Sequence, residues 1–150
     1  VEGKETIGIQ FLDTEYLFDK RKGLVSIQVN DEEIFQQAPK PVFYRALTDN
    51  DRGAKQTYAN WLNASLFQNV VDFKMIRNSK CAQMIYTIQL ESIEEECKLV
   101  YTVYNNQSIQ IQLHLDKNSQ RQTLPLFGIE FVLKEEFKNF AYFGISTLKT

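Results

Sequence analysis

The chain has 150 residues, 43% of them hydrophobic and 24% charged, with a formal net charge of −2, which fits one globular domain with a substantial core. No run approaches the roughly 18 consecutive apolar residues of a membrane helix. Lys and Arg are scattered rather than gathered into the basic patch that phosphate backbones attract, so neither a membrane nor a nucleic-acid partner is expected.

The chain opens on "VEGKETIG", with no basic n-region or apolar h-region, so no signal peptide is expected and a cytoplasmic location is favoured over secretion. Because Val1 stands first, the sequence reads as a piece of a longer polypeptide. Strands are expected over 5–11, 15–20 and 24–30. Lys22-Gly23 and Asn30-Asp31 supply residues that tolerate left-handed φ in tight hairpin turns, making the opening third a meander. Tyr58, Trp61, Leu62, Ser65 and Leu66 recur at helical spacing after Thr57, which predicts one helix over about 58–67 with Thr57 as its N-cap.

Beyond the helix, period-two patterning returns. "VDFKMIR" (71–77), "CAQMIYTIQL" (81–90) and "CKLVYTVYN" (97–105) are rich in β-branched and aromatic residues, with Glu94-Glu95-Glu96 as a solvated connection between the last two. "SIQIQLHL" (108–115) puts Ile109, Ile111, Leu113 and Leu115 on one face and His114 on the other. A polar loop over 116–123 precedes a strand at 126–133. The resulting fold class is all-β: an antiparallel β-sandwich with one short helix, forming a single domain over 1–150. Cys81 and Cys97 lack CxxC spacing and the chain holds one histidine, so reduced thiols are expected, with no zinc site. The two cysteines flank a hairpin, which leaves a cross-strand bridge geometrically open.

Chemistry concentrates in "YRALTDNDRGAKQTYANW" (44–61). "DNDRG" echoes a calcium loop, but Arg52 replaces a ligand and Asn60 stands where the closing glutamate belongs, so no metal site is expected. Asp49 and Asp51 flank a single asparagine and cannot straddle a sugar as paired glycosidase carboxylates do. The physical reading is an ion-pair and hydrogen-bond network of Arg45 with the acids of 49–51, in which Gly53 provides a conformation closed to other residues. Trp61 lies on the apolar stripe, where it anchors the helix on the sheet. A competing reading makes Tyr44, Tyr58 and Trp61 a stacking platform for sugar.

These residues also carry a resemblance. "PVFYRALTDNDRGAKQTYANWLNASL" (41–66) resembles the R-A-P-T-D-N-D-x-G segment and following tryptophan helix of β-galactosidases of glycoside hydrolase family 2, with Leu47 at the usual proline. "EYLFDKRKGLVSIQVNDEEIF" (15–35) is similar to the opening of the same domain. "LPLFGIEFVLKEEFKNFAYFG" (124–144) resembles its P-R-I-G-L strand and W/Y-x-G ending. After Gly144, "ISTLKT" stands in place of G-P-x-E-N-Y-x-D-R.

The resemblance implies the first part of that family's C-terminal small-chain domain, an incomplete piece of a super-sandwich similar to galactose mutarotase. It implies catalytic glutamates in a separate TIM barrel, on the same chain or another subunit, and a galactoside substrate. This chain would then not hydrolyse lactose alone. No cofactor is expected in this chain, the family's Mg and Na ions being bound elsewhere. By the same resemblance Gly53, Ala54, Lys55, Gln56 and Thr57 form a flap beside the sugar, and Arg45, Asp49, Asn50 and Asp51 hold its base. A mutarotase-like epimerase would need a histidine acid and a glutamate base, which a single outward His114 does not supply.

Overall fold

Side chains alternate across a pleated strand, so the buried set of each strand identifies the face it turns inward. In a computed structural model, residues 1–55, 57–116, 118 and 123–144 are described. The chain begins with the antiparallel meander β1 (Thr6–Phe11), β2 (Thr14–Asp19), β3 (Gly23–Val29) and β4 (Glu32–Glu33). Its turns use the expected chemistry: Asn30 and Asp31 both take left-handed φ, 52° and 65°, and Gly23 sits at 90°. Tyr16 and Phe18 of β2 and Leu24 and Ile27 of β3 point into the core.

The second sheet is the antiparallel run β6 (Gln68–Arg77), β7 (Cys81–Leu90), β8 (Glu95–Tyr104) and β9 (Ile109–Leu115), in that order. Along β7 the even positions Ala82, Met84, Tyr86, Ile88 and Leu90 are buried, and β8 opposes them in unbroken register from Cys81↔Tyr104 to Leu90↔Glu95. The two meanders face each other through aromatic side chains. Tyr101 meets Phe18 edge-on at 5.5 Å and Tyr86 at 5.8 Å, and aromatic pairs in such geometry contribute beyond their buried area. Hydroxyls tie the layers as well: Tyr86 donates to the Asp19 carbonyl at 2.9 Å and Tyr16 to that of Gln107 at 2.5 Å. The molecule is an antiparallel all-β sandwich, as the period-two pattern predicts.

Four features differ from the expectation, and the cysteines are free thiols as expected. A strand, β5 (Phe35–Val42), lies in a segment not predicted as strand and pairs with β10 (Gly128–Leu133) in a two-stranded sheet; its Pro39 and Pro41 lack the N–H that a central strand donates, which hid it. "DNDRG" is not an irregular turn but a single-turn helix, α1 (Asp49–Gly53). The predicted helix is α2 (Ala59–Leu66), and its N-cap is Tyr58 in left-handed conformation (φ 49°), not Thr57. Glu95 and Glu96 belong to β8, leaving Glu94 (φ 54°) to end the 3-10 turn Glu91–Ile93. Cys81 lies opposite Tyr104 and Cys97 opposite Ile88, at opposite ends of the hairpin and far beyond the Cα separation a disulfide spans. Most of the polar loop at 116–123 and all of 145–150 lie outside the described residues.

β5 and α2 together carry the segment of interest. Trp61 and Ala64 are fully buried, and the Trp61 ring lies 6.0 Å from that of Phe43, just past the end of β5. Ser65 Oγ accepts from the Phe43 N–H at 2.9 Å while donating to the Trp61 carbonyl at 2.9 Å. Gln68 Nε2 donates to the carbonyls of Pro41 and Ala64, each at 2.9 Å. Helix and strand are thereby fixed to each other on either side of residues 44–58.

Candidate functional site

The site is built on a capping box. Thr48 has extended backbone (φ −81°, ψ 169°) and begins α1: its Oγ accepts from the Asp51 N–H at 3.3 Å, and the Asp51 carboxylate accepts from the Thr48 N–H at 2.8 Å. This reciprocal pairing satisfies two backbone donors that a helix start leaves open. The Thr48 hydroxyl also donates to Asp51 Oδ2 at 2.7 Å.

Asp51 is only 8% exposed, and a carboxylate so placed needs partners for both oxygens. Arg45 supplies them as a fork, Nη1 at 2.6 Å from Oδ2 and Nη2 at 3.4 Å from Oδ1, the planar geometry guanidinium groups favour. The Tyr58 hydroxyl donates to Oδ1 at 3.2 Å, seven residues along the chain. The Arg45 hydrogen bond, followed by the Thr48 backbone and hydroxyl bonds, holds the Asp51 carboxyl well below its ordinary range. Burial, together with the Asp51 contact, pushes the Tyr58 hydroxyl up. Asp51 therefore stays ionised at any ordinary pH and has no proton to give as a general acid.

The network reaches a third segment, because Arg45 Nε donates to the Pro125 carbonyl at 3.1 Å, just ahead of β10. Phe127, two residues on, lies tilted at 6.2 Å against the same Phe43 that meets Trp61. The Ala54 N–H bonds to the Asn50 carbonyl at 3.0 Å and the Lys55 N–H to that of Arg52 at 3.0 Å. Lys55 then takes left-handed φ, 54°. Ala54, Lys55 and Thr57 are exposed, and Gln56 lies outside the described residues.

Of the four residues expected at the loop's base, two converge. Arg45 and Asp51 form the ion pair, whereas Asp49 is 98% exposed in its side chain and pairs with Arg52 at 3.1 Å, and Asn50 faces solvent. Gly53 does not hold a conformation closed to other residues: its φ is not left-handed, and a Cβ there would meet nothing within 4 Å. The left-handed positions are Lys55 and Tyr58 instead. Thr48 and Tyr58 also belong to the network. Thr48-x-x-Asp51 carries a capping-box signature that reads equally as a polar turn, while Tyr58 joins only through tertiary packing.

Trp61 and Tyr58 are buried and Tyr44 packs against the core, so the three rings offer no open platform for a sugar. His114 is exposed opposite Lys98. Among the described residues no three His, Cys, Asp or Glu side chains are grouped to hold a metal ion. What the arrangement does is hold one short loop between a fixed ion pair and a fixed helix.

Residues 11–147 match the family described as "Beta galactosidase small chain". The chain belongs to that family. Among its curated small-chain and β-galactosidase relatives, it is similar to a β-galactosidase of Clostridium acetobutylicum, 31% identical over 97% of this chain and 17% of the relative. A β-galactosidase of Streptococcus thermophilus is 32% identical over 96% of this chain and 14% of its own length. The β-galactosidase small subunit of Latilactobacillus sakei is 28% identical, with 96% of this chain matched to 53% of the relative. The chain thus spans a small part of the first two and about half of the third, and the small-chain match includes the whole Arg45–Tyr58 site.

Proposed function

We propose that this chain is a non-catalytic domain of a β-galactosidase of the glycoside hydrolase family 2 type, which hydrolyses terminal β-D-galactosides such as lactose. The catalytic carboxylates belong to a TIM-barrel partner on the same polypeptide or a separate subunit, and any Mg or Na ions are bound elsewhere than in this chain. The domain contributes packing surface and the loop 53–57, which lies beside the bound sugar and closes over it. The observation carrying this reading is the Arg45–Asp51–Tyr58 network at the base of that loop, centred on the buried Asp51 carboxylate, within a small-chain match covering residues 11–147. Such a network fixes the two ends of the loop, as gating loops require.

Gly53 carries no conformational demand, so the informative change is to loosen the tip. In the complete enzyme, replacing residues 54–57 by glycines should lower kcat/KM for a nitrophenyl galactoside while leaving thermal stability close to that of the parent. Unchanged kcat and KM would remove the loop from the sugar site.

A further inference from the structure

Tyr58 performs two structural tasks at once. Its carbonyl accepts from the Trp61 and Leu62 N–H groups, each at 3.0 Å, and so starts α2. Its hydroxyl lies on the Asp51 carboxylate of α1 at 3.2 Å, in a buried contact. The left-handed backbone, φ 49° without being glycine, is a conformation that L side chains avoid, and this position holds it where the ring is buried and its hydroxyl bonded. The relation between the two helices on either side of the loop therefore passes through one side chain.

That relation is part of a closed ring of contacts. On the polar side it runs from Tyr58 to Asp51, to Arg45, to the Pro125 carbonyl. On the apolar side it returns from Phe127 to Phe43 to Trp61 in α2. We propose that Tyr58 is the positioning residue of this ring, coupling the α1–α2 connection to the segment that enters β10. A disturbance at Tyr58 then loosens both places, although Tyr58 contacts only one of them. The coupling itself is independent of the galactosidase reading, and only its consequence for turnover rests on that reading.

The test uses Tyr58→Phe, Asp51→Asn and the double variant in the full-length polypeptide carrying this domain. Tyr58→Phe keeps the buried ring and removes only the hydroxyl. Two rates are read: tryptic cleavage after Arg52 or Lys55, and amide exchange over 123–127. A hydrogen bond of ordinary net strength is worth enough that Tyr58→Phe should speed both by about threefold to tenfold. The double variant should be no faster than Asp51→Asn alone, because the hydroxyl acts through the carboxylate. Wild-type rates in Tyr58→Phe, acceleration confined to the cleavage sites, or multiplicative effects in the double variant would each overturn the proposal. If both rates rise while galactoside kcat and KM stay fixed, the coupling stands and the loop's role beside the sugar falls.

Discussion

Asp51 is a buried carboxylate whose five hydrogen bonds all favour its charged form, and it shows how one residue makes stability depend on pH. Its folded-state affinity for a proton lies below that of the unfolded chain, chiefly because of Arg45. Its stabilisation is then fully present above the ordinary carboxylate pKa of about 4 and fades as pH falls below that value. Asp51→Asn should be less stable than the parent at neutral pH, with the gap in urea midpoint narrowing as the solution is acidified. A gap that did not change with pH would mean the loss came from packing instead. The cysteines give a second residue-scale prediction. Burial pushes the Cys97 thiol up to about 12, which leaves almost no thiolate near neutral pH, while Cys81 is half-exposed. Iodoacetamide should modify Cys81 in the folded protein and reach Cys97 only on unfolding, which peptide mass mapping would show. Equal labelling of both in the native state would contradict the buried position of Cys97.

At the scale of elements, α1 depends on its cap more than on its length. Five residues form a helix too short to persist alone, so Thr48→Ala, which removes both hydroxyl bonds to Asp51, should cost about 1 kcal/mol of stability by urea titration. Lys55 gives the opposite case. Its left-handed backbone costs roughly 1–2 kcal/mol relative to an ordinary φ, and glycine relieves that while losing about 0.5–1 kcal/mol to chain entropy. Lys55→Gly should be neutral to mildly stabilising, and a clear loss would show that the Lys55 side chain holds something in place. The same elements show what the sequence made legible. β7 and β9 announce themselves because alternate residues face one core, and Trp61 reads as buried because it falls on a helical stripe. β5 stays hidden because its two prolines contradict strand propensity locally, while pairing with β10, some ninety residues away, supplies the missing support. At the site, the Arg45–Asp51 pair is legible from charge and proximity. Asp49 and Asn50 are not separable from it in sequence, because only the turn of α1 decides which acid faces inward. Tyr58 is illegible for the same reason as β5: its role is set by what it reaches, not by its neighbours.

At the scale of the whole molecule, the two large sheets bury their facing surfaces against each other, whereas the β5–β10 pair does not cover its own. Phe127 and Phe131 pack against the core rings of Phe43 and Phe35, yet remain 47% and 46% exposed, and Phe140, Tyr142 and Phe143 follow largely in solvent. Among the described residues β10 pairs with β5 alone, so one of its edges also presents unpaired backbone groups. An apolar patch beside an open strand edge favours association through that edge. The 150-residue chain by itself should sediment with a concentration-dependent rise in apparent mass. Phe131→Lys places a charge on β10 where it opposes edge pairing, and Phe127 remains to hold the Phe43 contact, so this variant should shift the chain towards monomer without unfolding it. If the parent stayed monomeric at every concentration, the patch would have to be covered within the chain itself. If Phe131→Lys associated as strongly as the parent, the contact would lie on another face of the sandwich, and the exposed aromatics at 140–143 would be the next surface to charge.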